Sequence, residues 1–318
     1  MAEKPLSFTT YNCTGFKNRN YDFLRDAFSK CQVLFMQETW LYNAQHKDIA
    51  NVLPNCQYHA VSAMPDTDVG RVGRPYGGCA IVWHSGLALS CRPLPTTSRR
   101  LCAVAAETRS HSMLWLTVYM PVDDGTTSSF NEYGEVLAEM SALLALHEGR
   151  EVIIGGDFTV DMNRPSRNLP LFCQFIMQEN LSNVQSHPEC YTFESAIGSK
   201  SKIDYFLVSN DLYIPTILSA TLDSGINLSQ HSALCIKLPI SPVIINHKDV
   251  LKRKTILDWR NSNEIHINNY KRLIDHHLQE LSIQNYDFIK CNNKLCTIHD
   301  NEILSLLDKF SEILNKCA

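Results

Sequence analysis

Several short apolar runs in this chain end in a side chain able to bind a metal ion or move a proton. Leu6-Ser7-Phe8-Thr9-Thr10-Tyr11 ends at Asn12, Val33-Leu34-Phe35-Met36 at Gln37-Glu38, and Val152-Ile153-Ile154-Gly155-Gly156 at Asp157. Ser229-Gln230-His231 stands just before a further run, Ala233-Leu234-Cys235-Ile236. Strands whose ends converge pool such side chains into one site. Carboxylate and amide oxygens suit a hard divalent cation such as magnesium, and a nearby imidazole activates or stabilises charged oxygens. Those parts together suit hydrolysis of a phosphodiester.

The elements that must position these residues read as strands separated by turn signals, among them Arg74-Pro75-Tyr76-Gly77-Gly78, Met120-Pro121 and Asp223-Ser224-Gly225. Further strands are expected at 79–83, 101–107, 114–119 and 203–208. Helical spacing covers 21–30 and 130–146, where Val136, Leu137, Met140, Leu143 and Leu144 share a face. Many strands with interspersed helices indicate two sheets packed face to face and covered by helices. No internal repeat interrupts the pattern. The texture changes near residue 240, which sets expected domains at 1–240 and 241–318. After Ser241-Pro242 two amphipathic stripes follow: Tyr270, Leu273, Ile274, Leu278 and Leu281, then Ile303, Leu306, Leu307, Phe310, Ile313 and Leu314 with Asp300 as N-cap.

With 318 residues, 44% of them hydrophobic, the chain is large enough for one sizeable domain and a small appendage, and disorder does not fit. No apolar stretch is long enough to span a bilayer, and Met1-Ala2-Glu3-Lys4-Pro5 runs straight into a strand, so an intracellular, soluble protein without membrane attachment is expected. Most of the 12 cysteines lie in apolar runs (Cys79, Cys102, Cys173, Cys235), as small hydrophobes rather than a disulfide framework. The net charge is −4, with 18 Lys and Arg against 23 Asp and Glu in residues 1–240 and 11 against 10 thereafter. No overall basic field attracts a polyanion; a local rim and metal ions must do so. Arg71, Arg74, Arg99, Arg100, Lys200 and Lys202 are the rim candidates, and Lys252-Arg253-Lys254 reads as a solvated linker run.

The order of motifs resembles the endonuclease/exonuclease/phosphatase superfamily, which includes apurinic/apyrimidinic endonucleases. Within it, the chain looks most like the endonuclease of metazoan non-LTR (LINE-type) retrotransposons. The blocks are Thr10-Tyr11-Asn12-Cys13-Thr14-Gly15-Phe16, Met36-Gln37-Glu38-Thr39-Trp40-Leu41, Gly73-Arg74-Pro75-Tyr76-Gly77-Gly78-Cys79-Ala80 and Val118-Tyr119-Met120-Pro121. They continue with Gly155-Gly156-Asp157-Phe158, Tyr191-Thr192-Phe193, Ser201-Lys202-Ile203-Asp204-Tyr205 and Ser229-Gln230-His231-Ser232-Ala233-Leu234. The resemblance implies a four-layer α/β sandwich, two packed mixed β-sheets flanked by helices, with a C-terminal helical extension. It implies magnesium-dependent nicking of DNA, with manganese as a possible substitute, and a nuclear location when the protein acts on DNA. By the same likeness Glu38 holds the metal, with Asn12, Asp157 and Gln230 as further candidate ligands, and Asp157 positions or deprotonates the attacking water. His231 bonds the scissile phosphate, Asp204 orients that imidazole, and Tyr119 contacts the phosphate through its hydroxyl.

Two positions depart from that pattern. Thr159 stands where the family usually has an asparagine that donates to the phosphate, and Gln230 where it usually has an aspartate serving as a metal or water ligand. Losing one preorganised donor costs roughly 2.7–4 kcal/mol in the transition state. Attenuated activity is therefore expected, and the alternative is a catalytically impaired relative that binds DNA or a protein. Arg74, Lys202, Thr159 and Thr192 are the expected phosphate or DNA contacts, although Tyr191-Thr192 reads equally as a core tyrosine with a structural hydroxyl. Cys291, Cys296 and His299 would need a fourth zinc ligand from His266, His276, His277 or Cys317, so two buried cysteines beside a helix start are preferred. In retrotransposon proteins such a segment is linker. No protein partner is legible, and with no room for a polymerase the chain is expected to be a fragment, a truncated copy or a host-retained relative.

Overall fold

A computed structural model describes residues 5–65, 75–184, 187, 190–213, 219–222, 224–240 and 264–280, together with residues 305, 306, 309, 310 and 313. Arg71, Arg74, Ser241-Pro242, Lys252-Arg253-Lys254 and the Cys291 to His299 cluster lie outside the described residues. The chain divides into two compact units, Met1–Ile245 and Asn246–Ala318. Within the second unit the described helix is Glu264–Glu280, with Glu264 in its first turn and His277 in its last, both favourable to the helix dipole. No described helix is long and apolar enough to cross a membrane.

Among the described residues the first unit contains 14 strands. In chain order these are β1 (Leu6–Asn12), β2 (Val33–Gln37), β3 (Cys56–Val61), β4 (Cys79–His84), β5 (Ser90–Leu94), β6 (Leu101–Glu107) and β7 (Ser112–Tyr119). They continue with β8 (Glu151–Asp157), β9 (Leu181–Asn183), β10 (Phe193–Glu194), β11 (Lys200–Ser201), β12 (Asp204–Ser209), β13 (Ala220–Leu222) and β14 (Ala233–Leu238). One six-stranded sheet has the order β13-β14-β1-β2-β4-β3, the other β5-β6-β7-β8-β12-β9, and β10 pairs with β11 as a separate ribbon. Each large sheet is mixed, because β1 and β2 run parallel in the first and β7 and β8 in the second. Four α-helices accompany them among the described residues: α1 (Tyr21–Ser29), α2 (Asp48–Val52), α3 (Thr127–Leu146) and α4 (Leu169–Gln178). The architecture is the expected α/β sandwich.

Period-two alternation decides which side chains meet. Leu6 and Phe8 of β1, Val33 and Phe35 of β2, Trp115 of β7, Ile153 of β8 and Phe206 of β12 form one buried cluster drawn from both sheets. The intervening residues point outward. Tyr11, Leu34 and Met36 pack with Phe23, Leu24 and Phe28 of α1 and Ile49 and Val52 of α2. On the second sheet Leu116, Val118 and Ile154 pack with Tyr133, Val136 and Met140 of α3 and with Phe172 and Phe175 of α4. Each fully buried aromatic or aliphatic side chain contributes roughly 1.5–3 kcal/mol. Carried to the strand ends, the same alternation turns Asn12, Gln37, Tyr119, Asp157 and Asp204 toward the space between the sheets.

Helix α3 starts three residues before the expected 130, because the Thr126 hydroxyl caps it by accepting from Ser129 N at 3.1 Å. Helices α2 and α4 carry no expectation from the sequence: α2 is one short turn, and the continuous apolar run Leu169-Pro170-Leu171-Phe172 hides the period of α4. All nine described cysteines are free, and burial pushes the Cys13 thiol up to about 12.

Candidate active site

Strand register assembles the second sheet's contribution. Asp204 of β12 lies directly opposite Asp157 of β8, and Tyr119 of β7 pairs with Asp157 from the other side. Two aspartates opposite one another repel and destabilise a sheet unless something else is placed between them. Here it is His231. Its Nδ1 lies 2.9 Å from Asp204 Oδ2, and its Nε2 lies 3.7 Å from Asp157 Oδ2, with all three residues buried.

The first sheet contributes from the end of β1. Asn12 Nδ2 donates to Glu38 Oε1 and to Asp157 Oδ2, each at 3.0 Å, while Asn12 Oδ1 accepts from Thr14 N at 3.1 Å. The amide can only be oriented this way, since reversing it would set its oxygen against two carboxylates and its NH2 against an N–H. Asn12 therefore presents nitrogen to the centre, as a clamp between two acids. Below it, Gln37 Nε2 donates to Thr10 Oγ1 and Thr117 Oγ1 at 2.9 and 2.7 Å, joining the two sheets under the site. Glu38 follows with φ of 51°, a left-handed conformation that turns its carboxylate off the end of β2. The backbone there is held by Thr39 N and Trp40 N donating to the carbonyls of Gly78 and Gly77. Gly78 has φ of 83°, and a Cβ there would come within 2.7 Å of Thr39 Oγ1, so this clamp requires glycine.

His231 is held in place by a polar loop. Tyr11 donates its hydroxyl proton to Asn227 Oδ1 at 2.7 Å, Asn227 Nδ2 donates to the His231 carbonyl at 2.8 Å, and Ser229 Oγ donates to the Asn12 carbonyl at 2.8 Å. Ser229 Oγ also accepts from His231 N at 3.1 Å. Thr192 is buried, and its hydroxyl accepts from the backbone N–H groups of Ile203 and Asp204 at 3.1 Å. It acts on the centre through Asp204, in keeping with a structural hydroxyl.

Electrostatics follow from two buried acids, with the half-buried Glu38, beside one base. Burial first, and the Asp204 charge second, push Asp157 up to about 7, against the lowering influence of His231, the Asn12 amide and Thr159 N–H. Burial alone lowers the His231 imidazole; the charge and hydrogen bond of Asp204, with Asp157 and Glu38 behind them, outweigh it and raise the group to about 9. Burial and then the charges of Glu38 and Asp157 raise Tyr119 well above its ordinary value, keeping the phenol protonated. Both shifts favour holding protons at this centre, on an imidazole beside a carboxylate of raised basicity, the pairing general acid and base work needs.

The remaining expected residues lie around this centre. Thr159 has φ of 55°; its N–H donates to Asp157 Oδ1 at 3.0 Å and its hydroxyl to the Pro121 carbonyl at 2.8 Å. Gln230 is exposed while its neighbour His231 is buried, as alternate residues of an extended chain must be, and its carbonyl accepts from Glu194 N. Among the rim candidates, Arg100 pairs with Glu132 at 2.6 Å and lies 5.4 Å over the Tyr119 ring, and Lys200 approaches Glu194 at 3.6 Å. Lys202 is half-buried, its backbone N–H donating to Asp161 Oδ2. Arg164, whose guanidinium donates to the Lys200 carbonyl, and Arg167 join this rim without having been singled out in the sequence. Gln37, Trp40, Asn227 and Ser229 were also missed as site residues, although the first, second and last stand inside the motif blocks. A groove of about 930 Å³ opens beside Glu38 and Tyr119 and is lined by Tyr76, Arg99, Arg100 and Glu132 among others.

The donor set fits a hard divalent cation. Asp157, Asp204 and His231 bring potential ligand atoms within 4.8 Å of one another, of which the two carboxylates can bind an ion while His231 is protonated. Asp204 Oδ1 is buried with no hydrogen-bond partner, and the Glu38 carboxylate accepts one N–H on each oxygen, from Asn12 and from Trp40, beside a bond from the Tyr119 hydroxyl. Carboxylate oxygens so arranged suit an oxygen-seeking ion.

Fold and centre together define a hydrolase-type phosphoester site, and the sequence agrees: residues 9–220 match the Endonuclease/Exonuclease/phosphatase family, to which the chain belongs. In fold it is similar to the endonuclease domain of TRAS1, a telomere-specific non-LTR retrotransposon, at 15% identity and TM-score 0.56, covering 74% of this chain and 99% of that one. It is also similar to a 3′ phosphatase from Neisseria solved bound to a product DNA hairpin, at 17% identity and TM-score 0.54 over 74% of this chain and 100% of that one. A mannosyl-6-phosphatase from Bacteroides thetaiotaomicron shares the fold at 16% identity and TM-score 0.50, over 74% of this chain and 100% of that one. No curated protein matches the chain by sequence.

Proposed function

We propose that the chain is a divalent-metal-dependent DNA endonuclease of the LINE retrotransposon type, which nicks one strand by water attack on phosphorus. The observation that carries this is the junction at Asp157, whose Oδ2 is shared between Asn12 Nδ2 at 3.0 Å and His231 Nε2 at 3.7 Å. Glu38 and Asp157 would hold magnesium, or manganese in its place. The ion would supply Lewis-acid stabilisation of the negative charge that develops on the phosphate oxygens.

The protein's own groups do the proton work. Asp157 accepts a proton from water as the new P–O bond forms. The imidazolium of His231 donates through Nε2 to a phosphate oxygen, with Asp204 fixing its tautomer by accepting at Nδ1. Tyr119, kept protonated, donates a second hydrogen bond. The bond from phosphorus to the 3′ oxygen breaks as that oxygen takes a proton from solvent water, leaving a 3′ hydroxyl and a 5′ phosphate, with no covalent link to the protein. Lys202, Lys200, Arg164 and Arg167 meet the backbone beyond the scissile bond, and action on chromosomal DNA implies a nuclear location.

Supercoiled plasmid incubated with magnesium is the direct assay. Slow conversion to open circles is expected, abolished by EDTA and by Glu38→Ala; equal nicking by the Glu38→Ala protein would sink the proposed metal site. The impaired-relative reading rests on Thr159 and Gln230, and DNA binding without nicking in the same assay would favour it. Release of phosphate from a sugar phosphate, with plasmid untouched, would instead favour a small-molecule phosphatase.

A further inference from the structure

Trp40 occupies a conformation that simple burial does not explain. Glu38 and Trp40 have φ of 51° and 57°, so two of three successive residues are left-handed, and a bulky side chain there is an outlier. Each such residue is strained and persists only where its surroundings over-determine it. Here they do. Gly15 N and Phe16 N donate to the carbonyls of Glu38 and Thr39 at 2.8 Å on one flank, and Thr39 N and Trp40 N donate to Gly78 and Gly77 on the other. A Cβ at Gly15 would come within 2.5 Å of the indole, so this glycine makes room for the ring.

The strained turn brings Trp40 Nε1 to 3.0 Å from Glu38 Oε2, while Asn12 Nδ2 takes Oε1 at the same distance. A carboxylate oxygen carries two lone pairs. One N–H on each oxygen fixes the plane of the group; the Tyr119 hydroxyl also bonds the carboxylate, which leaves one of its four lone pairs for an ion. Lys17 Nζ stands 4.4 Å above the ring, where a cation is attracted by the π face and draws electron density from the indole, strengthening its N–H as a donor.

We infer that Trp40 is a positioning residue: its indole N–H, backed by Lys17, holds the Glu38 carboxylate in the orientation that receives the divalent cation. The inference rests on the proposed metal site at Glu38. Partners that orient a metal ligand typically govern affinity by about 10–100-fold when removed. Trp40→Phe keeps an aromatic body and deletes only the donor.

The test is Mn2+ binding to the full chain, followed by electron paramagnetic resonance of the free ion. Wild type is expected to bind, Trp40→Phe to bind about 10-fold more weakly, and its nicking to recover as Mn2+ is raised. Equal affinities of the two proteins would overturn the role of Trp40 and leave the metal site standing, whereas no binding by wild type would remove the metal site itself. Should Trp40→Phe fail to fold, magnesium titration of 15N-labelled wild type decides. One of the four indole N–H resonances must move with the binding curve, and no movement overturns the inference.

Discussion

At the scale of single residues, the centre is an arrangement of like charges that the folded chain tolerates because one imidazole and one amide stand among them. Asp157 is about 7 in the fold against an ordinary 3.8, so raising pH from 3.8 to 7 takes protons from the unfolded chain first and erodes stability. His231 is about 9 against 6.5, so its stabilising contribution is complete below 6.5 and lost as pH rises through 9. Both effects have the same sign. The melting temperature of metal-free protein is therefore expected to fall between pH 4 and 9 through this centre, and magnesium should restore more of it at pH 8 than at pH 5.5. Asp157→Asn should flatten the lower part of that slope; an unaltered profile in calorimetry would mean that Asp157 is not the group responsible.

At the scale of elements, strand ends and the turns leaving them set the geometry. The turn after β8 places Thr159 at φ of 55°, where a β-branched residue is strained and asparagine is several-fold enriched. Thr159→Asn is therefore expected to raise stability by about 1 kcal/mol, since the left-handed penalty for an ordinary L-residue is roughly 1–2 kcal/mol. It should also raise the nicking rate more than Gln230→Asp does, because it restores a donor beside Asp157 while Gln230 is exposed. A thermal shift and a rate series on the two variants would show it, and no gain from Thr159→Asn would locate any weakness elsewhere. Much of this geometry was legible in the sequence. The runs leading to Asn12, Gln37-Glu38 and Asp157 are strands that end at Asn12, Gln37 and Asp157, because alternation and turn signals are local. What was not legible depends on long-range register or on backbone sign: the Asp157–Asp204 pairing, the inward nitrogen of Asn12, the Gln37 bridge between sheets, and the left-handed turn that carries Trp40 back onto Glu38. Gln230 and Thr192 bear chemically suggestive side chains, yet one is exposed and the other buried under Asp204.

At the scale of the whole molecule, the sandwich is an α/β body whose chemistry lies at one end of the space between its sheets. The 73 residues from Asn246 to Ala318 form a second unit, too short for an extensive core of their own. We propose a boundary near residue 240, so limited proteolysis is expected to leave a stable fragment ending close to Pro242. Uniform resistance through Ala318 would show one integrated domain. The central claim, that the buried Asp157–His231–Asp204 group moves the protons of phosphodiester hydrolysis, is tested most directly by single-turnover nicking of a DNA duplex by His231→Ala. General acid–base groups contribute about 10²–10⁴-fold, and a loss of that size with DNA binding and circular dichroism unchanged is the expected result. A rate within about threefold of wild type would contradict the account, since the expected loss begins at about 10².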